Sequence, residues 1–380
     1  METCIARGGT AMELMTALGL ARDVASRELR EALYFRTGLN LTRPSDIKIS
    51  LTDRCNYRCG YCNHWNRPSY RNELDFDQWR GIVDGLRAYL GRYTIQFVGG
   101  EPMISPAFLP LVEHCHEQGI RWGVITNGSM LRGSRIDRLV AARPLNIDIS
   151  IDSSRPEIHD AARGVAGSLS RITSGVRQLL AARAASGRRF PIRIKPTVHV
   201  LNFDHLREIV GWAQDMGGLL VDFSPVGLTD KEGQARFYVT SDEALARLDE
   251  EIEALIALKQ GGAPIEVSVE KLRAIGEHFR GTRITQARSS CVVGLRALYV
   301  RPDGSVDHCW RFRDRGNLAE EKPAQLWART RATVAAEAVR CAHITTNRCG
   351  VACTSHRKLA QDVRRGLLYA GIGRKRGVPE

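Results

Sequence analysis

Three cysteines on one short loop carry the clearest chemistry in this sequence. The segment reads Leu51-Thr-Asp-Arg-Cys55-Asn-Tyr-Arg-Cys59-Gly-Tyr-Cys62-Asn-His-Trp65, a C-x3-C-x2-C spacing. Three soft thiolates so spaced can hold three corners of a cubane iron–sulfur cluster. Such a cube has four irons, so three ligands leave one iron open to a substrate or cofactor. The competing chemistry is a tetrahedral zinc ion, with His64 or a distant cysteine as fourth ligand. A second group, Cys291, Cys309, Cys341, Cys349 and Cys353, lies far along the chain. Cys291 and Cys309 flank a Pro302-Asp303-Gly304 turn that brings them towards each other. Cys349 and Cys353 are close enough in sequence to share a metal, and a zinc site of four cysteines is the alternative here. Cys4 and Cys115 stand apart and read as plain apolar residues.

Composition sets the frame for these thiols. The chain has 380 residues, enough for two or three domains or one large α/β unit with an appendage. Hydrophobic residues make 43% and charged residues 26%, which excludes a mostly disordered or collagen-like chain. No run approaches the roughly 18–20 apolar residues of a membrane span. The segment from Met1 to Arg7 shows no secretory signal pattern, so a cytoplasmic protein with no membrane partner is expected. Ten cysteines without an export signal point to metal ligands rather than disulfides. The net charge of +13 is partly terminal, with Arg357, Lys358, Arg364, Arg365, Arg374, Lys375 and Arg376 near the end. It reads as a solvated basic tail, and no nucleic-acid partner is expected.

The elements that position the thiols follow from periodicity. Strands are predicted at 46–51, 93–98, 121–126, 145–151, 191–200 and 219–224, with amphipathic helices between them at 76–90, 107–117, 168–185 and 203–215. Strands alternating with helices imply right-handed βαβ units and a parallel sheet. Six strands in this span suit an open partial barrel of the (β/α)6 kind, with its site at the strands' C-terminal ends. The α/β class is therefore expected, with five regions. These are a helical N-terminal segment over 1–44, the partial barrel over 45–230, a helical linker over 231–285, a small α+β domain over 286–356 with a hairpin at 298–310, and a basic tail over 357–380.

The cysteine loop resembles the signature of the radical S-adenosylmethionine (radical SAM) superfamily, including the aromatic Tyr61 before the last cysteine. Four further stretches match in order: Gly99-Gly100-Glu101-Pro102, Thr126-Asn127-Gly128, Ser150-Ile151-Asp152-Ser153, and Arg155 to Arg163-Gly164. The resemblance covers about residues 46–225. It implies that Cys55, Cys59 and Cys62 hold a catalytic 4Fe-4S cluster whose open iron binds S-adenosylmethionine. The cofactor-binding residues it suggests are Tyr61, Gly99, Gly100, Glu101, Pro102, Asn127, Ser150, Asp152 and Arg163. The glycine motif would hold the cofactor's ammonium. Ser150 and Asp152 share one strand face suited to ribose hydroxyls, and Arg163 offers a planar fork for the cofactor carboxylate. The C-terminal group is similar to the SPASM/twitch extension found in many such enzymes. His343 stands where a full SPASM pattern has cysteine, so one auxiliary 4Fe-4S cluster is expected, on Cys291, Cys309 and two of Cys341, Cys349 and Cys353.

The resemblance implies reductive cleavage of S-adenosylmethionine and hydrogen abstraction from a substrate, with a flavodoxin- or ferredoxin-type electron donor. Two substrate classes are open. One is a small molecule, such as a sugar or aminocyclitol undergoing dehydrogenation or dehydration in natural-product biosynthesis. The other is a ribosomally made peptide undergoing cross-linking or epimerisation. The stretch Ile47-Lys-Ile-Ser-Leu-Thr-Asp-Arg-Cys55-Asn also resembles the opening motif of the GTP cyclases of molybdenum-cofactor synthesis, whose paired cysteines before the hairpin and terminal Gly-Gly are absent. A basic zinc protein binding RNA is the non-enzymatic alternative. Lys195, His199, Asp222, His308 and Trp310 are weaker pocket candidates.

Overall fold

A computed structural model describes residue 19 and residues 22–62, 64–66, 72–228, 230–281, 291–309 and 312–341. The expected tail, the first helical run, Trp310, Cys349 and Cys353 lie outside the described residues.

Among the described residues ten strands are formed: β1 (Asp46–Ser50), β2 (Thr94–Val98), β3 (Arg121–Thr126), β4 (Asn146–Ile149), β5 (Ile192–Ile194), β6 (Thr197–Val198), β7 (Leu219–Val221), β8 (Ser224–Pro225), β9 (Ala297–Val300) and β10 (Val306–Asp307). One eight-stranded sheet has the order β10-β9-β1-β2-β3-β4-β5-β7 and is parallel except for the β9–β10 hairpin. Strands β6 and β8 pair parallel beyond the ends of β5 and β7. The single runs expected at 191–200 and 219–224 are thus each broken once. Pro196 lies at the first break and has no N–H to donate, though its carbonyl still accepts from Ser224 N at 3.2 Å. The result is the expected α/β architecture: an open, mostly parallel sheet wrapped by helices.

The helices between strands are α2 (Phe76–Leu90), α3 (Phe108–Glu117), α4 (Ser134–Ala141), α5 (Pro156–Arg163), α6 (Ser168–Ala185) and α7 (Leu206–Met216), preceded by α1 over residues 22–37. Their faces follow helical periodicity. In α2, Trp79, Ile82, Val83 and Leu86 are buried at i, i+3, i+4 and i+7. Asp75 and Gln78 close a capping box at its start. The strands answer with alternate residues. Ile47, Ile49, Ile95, Phe97, Val124, Ile147, Ile149, Ile192 and Ile194 are buried in the main hydrophobic core. The inner face is polar by contrast. Asn146 Nδ2 donates to Asp148 Oδ1 at 2.9 Å, and Arg193 Nη1 donates to the same oxygen at 2.8 Å. Glu266 grips the other side of Arg193.

After β8 come α8 (Lys231–Phe237), α9 (Asp242–Gln260), α10 (Val269–Arg280), α11 (Val293–Arg296) and α12 (Pro323–Val339). The expected linker region is therefore three helices. The C-terminal hairpin does not form a sheet of its own: β9 adds parallel to β1, pairing Asp46 with Ala297 and Ile49 with Val300. Arg296, just before β9, is buried on Glu31 of α1 and donates to Glu28 Oε1 at 2.9 Å, tying the two chain ends together.

Candidate active site

The loop after β1 has little regular structure, so neighbours must hold it. On one side lies the Gly99-Gly100 turn after β2. Gly100 N donates to Thr52 O and Glu101 N to Arg54 O, both at 2.9 Å. A Cβ on Gly100 would sit 2.1 Å from the Arg54 carbonyl oxygen, so no larger residue fits without moving the loop. On the other side lies the end of α5. Helices leave their last carbonyls without internal partners. Here Arg163 O accepts from Arg58 N at 3.2 Å and Ala162 O from Gly60 N at 3.1 Å. The cysteine loop thus caps α5, and α5 fixes the loop.

Cys59 is buried, and Cys55 and Cys62 are partly buried. Nitrogen donors lie against two of the sulfurs. Tyr57 N is 3.4 Å and Asn127 Nδ2 3.8 Å from Cys55 Sγ, and Arg163 Nη1 is 4.0 Å from Cys59 Sγ. Burial pushes the Cys55 thiol up, and pushes Cys59 up to about 11 despite the nearby Arg163. Cluster loading must therefore remove protons from these thiols. Donors facing sulfur fit thiolate ligands of a metal cluster. Among the described residues, no three His, Cys, Asp or Glu side chains converge on one point.

Two carboxylates sit beneath the loop, each fully committed. Glu101 accepts from Thr126 Oγ1 at 2.7 Å, Asn127 N at 2.7 Å and Met103 N at 3.1 Å. Burial raises its pKa to about 7 although these bonds oppose the rise. It joins the ends of β2 and β3, with Pro102 opening the next helical turn. Asp152 accepts from Arg163 Nη2 at 2.6 Å, Tyr61 Oη at 2.6 Å and Thr197 N at 2.9 Å. Burial alone would raise Asp152, but the Arg163 guanidinium outweighs it and holds the carboxyl well below the usual range.

These contacts differ from the expected roles. Arg163 and Asp152 engage each other rather than standing open to a carboxylate and a ribose, and Glu101 braces the loop rather than offering a free acceptor. Burial leaves Arg163 Nε without a hydrogen-bond partner among the described residues. Ser150, at the end of β4, is partly exposed, and its backbone N donates to Thr126 O at 2.9 Å. Asn127 spans the loop, with Nδ2 donating to Asn56 Oδ1 at 2.8 Å.

Phe237 and Lys271 were not visible in the sequence as participants. Phe237 of α8 packs on Tyr61 at 5.8 Å between ring centroids, and His199 lies 5.3 Å from the same ring. Gly60 is small because the Phe237 ring occupies the space of its Cβ. His199 is fully buried in this packing, a structural place. Lys195 and Asp222 meet at 2.7 Å, and Lys271 of α10 joins them at 3.1 Å. Among the C-terminal thiols, Cys291, Cys309 and Cys341 surround one apolar cluster with Val293, Ala297, Phe312, Val334 and Ala338. His308 is committed to structure, with Nδ1 2.7 Å from Ala297 O and Nε2 3.2 Å from Thr330 Oγ1.

Residues 49–186, which hold the three-cysteine loop, the Gly-Gly turn and α5, match the model of the radical SAM superfamily. This stretch is a radical SAM domain. The chain is 28% identical over 295 residues to an AdoMet-dependent heme synthase of Methanosarcina barkeri, covering 75% of this chain and 82% of that protein. It is 25% identical over 282 residues to the sporulation killing factor maturation protein SkfB of Bacillus subtilis, covering 74% of this chain and 64% of that one. Among solved structures, SuiB of Streptococcus suis bound to S-adenosylmethionine superposes with a TM-score of 0.61 at 17% identity. That match covers 79% of this chain and 69% of SuiB, a likeness of fold.

Proposed function

We propose that the protein is a radical SAM enzyme acting on a small molecule. The observation that carries this is the cysteine loop clamped between the Gly-Gly turn and the end of α5, with N–H donors aimed at Cys55 and Cys59. Cys55, Cys59 and Cys62 would hold a four-iron cluster. When bound, that cluster and S-adenosylmethionine supply one-electron cleavage to a 5′-deoxyadenosyl radical that can take hydrogen from an unactivated carbon.

The chain's own residues would do the holding. Tyr61 and Asp152 fix Arg163 against Cys59, on the side from which a cofactor carboxylate would approach it. Ser150 lies at the strand end where a ribose hydroxyl can reach it. The backbone of Gly99 to Pro102 and the Asn127 side chain shape the ammonium end. Phe237, packed on Tyr61, keeps water from the loop's flank. Cys291, Cys309 and Cys341, with Cys349 or Cys353, would carry one auxiliary cluster of the SPASM/twitch kind. A flavodoxin or ferredoxin would deliver the electron in the cytoplasm. Among the described residues no helix is long and apolar enough to cross a membrane.

The small-molecule reading is supported by the long match to a heme synthase, and sugar or aminocyclitol dehydrogenation or dehydration stays within it. The match to the maturation protein SkfB favours a second reading, a peptide maturase forming a cross-link or epimer. Anoxic reconstitution followed by assay of 5′-deoxyadenosine release tests both. Small-molecule candidates and peptides would be offered in parallel, with deuterium tracing the attacked carbon. Protein that holds zinc without acid-labile sulfide would overturn the proposal.

A further inference from the structure

We propose that Lys195 and Lys271, joined through Asp222 at the mouth of the barrel, bind an anionic group of the substrate, a carboxylate or a phosphate. This deepens the proposed function by naming a chemical class its substrate carries. It rests on that reading only for placing the substrate over the strand ends.

The position comes from the strand ends. Lys195 directly follows β5 and Asp222 directly follows β7, and both backbones stay in the parallel ladder. Lys195 N donates to Ile149 O and Asp222 N to Ile194 O, each at 2.9 Å. Two residues beyond Lys195, Thr197 N reaches Asp152 Oδ1 at 2.9 Å. The cluster therefore lies at the same end of the sheet as the cysteine loop, across the mouth. Strand alternation puts Lys195 on the inner face with Arg193.

Two successive inner layers differ in kind. Below, Arg193 is fully buried between Asp148 and Glu266, two carboxylates on one guanidinium. Above, Lys195 Nζ donates to Asp222 Oδ2 at 2.7 Å, and Lys271 Nζ to Asp222 Oδ1 at 3.1 Å and Ser224 Oγ at 3.4 Å. Two ammoniums thus meet the Asp222 carboxylate here. The upper layer is also open, with the Lys195 and Lys271 side chains 22% and 26% exposed. An ammonium has three donors. With both oxygens of Asp222 engaged, the Lys195 donors that remain suit an incoming oxyanion, which accepts such bonds strongly. Lys271 comes from α10, whose His278 lies 2.9 Å from Val226 O beyond β8, so the second cation is held by a helix packed over the strand ends.

The test is calorimetric titration of the full-length protein with inorganic pyrophosphate and, separately, with glutarate, at low ionic strength. At least one probe should saturate the wild type, and which one does assigns phosphate or carboxylate. Lys195→Met and Lys271→Met should each weaken that binding by about tenfold or more, and Lys195→Arg should largely retain it. Asp222→Asn, which removes the competing carboxylate, should strengthen it several-fold. A purely structural ion cluster leaves the wild type without saturable binding of either probe, and Lys195→Arg set against wild type decides the matter if a methionine variant does not fold. Failure of the wild type to bind either probe, or unchanged binding in both methionine variants, overturns the proposal. The readout is binding, so it stands apart from the radical chemistry. Absent 5′-deoxyadenosine with intact anion binding would sink the enzymatic reading alone.

Discussion

The two halves of the barrel mouth are built by different means. The half formed by β1 to β4 and α5 is held by backbone: Gly100 and Glu101 grip Thr52 and Arg54, and the last carbonyls of α5 receive Arg58 and Gly60. Among its ion pairs, Asp152 with Arg163 is sealed from solvent, while Arg54 with Glu73 lies at the loop's exposed edge. The half formed by β5 to β8 and α10 is held by long, partly exposed side chains meeting at Asp222. Backbone contacts fix a geometry and tolerate few residue types. Side-chain clusters can change composition while the strands beneath them stay put. The cysteine loop's place is set by backbone and the opposite wall's by side chains, and that is what this difference teaches.

The largest effect expected from that contrast falls on the fixed half. Cys59→Ser should abolish 5′-deoxyadenosine release and lower iron content, while urea unfolding of the metal-free protein changes little. Retained turnover would break the picture. Next is a paired substitution. Asp152→Asn leaves Arg163 buried without its counter-charge and should cost about 3–5 kcal/mol. Asp222→Asn, whose lysine partners are a fifth to a quarter exposed and can turn towards solvent, should cost clearly less. Equal costs in chemical denaturation would erase the distinction between the halves. Glycines give a third comparison. Gly100→Ala drives a methyl into the Arg54 carbonyl and should cost about 1–3 kcal/mol, with poorer iron retention. Gly227→Ala on the other half meets nothing within 4 Å and should stay within about 0.5 kcal/mol of wild type.

The last comparison is a pH slope. Glu101 titrates near 7 when folded and near about 4.3 unfolded. Between those values the native state keeps a proton that the unfolded state has lost. Stability from this group therefore falls as pH rises through the window, by up to about 1.4 kcal/mol per pH unit. The difference between wild type and Glu101→Gln, measured by urea unfolding from pH 5 to 7, should show that slope. A flat difference would remove Glu101 as a buried proton holder.

Much of the fixed half was legible. Alternation of Ile47 and Ile49 with Lys48 and Ser50 marked β1, and the cysteine spacing marked the loop that follows. The partners of that loop were less so. Glu101 and Arg163 were singled out by the resemblance, but not as braces, because their contacts span 26 residues to Asn127 and 11 to Asp152. Lys271 was missed altogether, since it sits in an unremarkable helix 49 residues beyond Asp222. The hairpin was legible from Pro302-Asp303-Gly304, yet its pairing with β1 was not. Local turn chemistry specifies which two strands fold back on each other, and says nothing of the third strand they join.

That third strand has a consequence for distance. Strands β1 and β9 run side by side in the same direction. The first trio of thiols follows the far end of β1, while Cys291 and Cys309 gather about Ala297 at the near end of β9. The two sulfur-bearing ends are thus separated by the length of a hydrogen-bonded ruler, about 13 Å at roughly 3.3 Å per residue. Lengthening or shortening the helical stretch between β8 and β9 would leave that ruler unchanged.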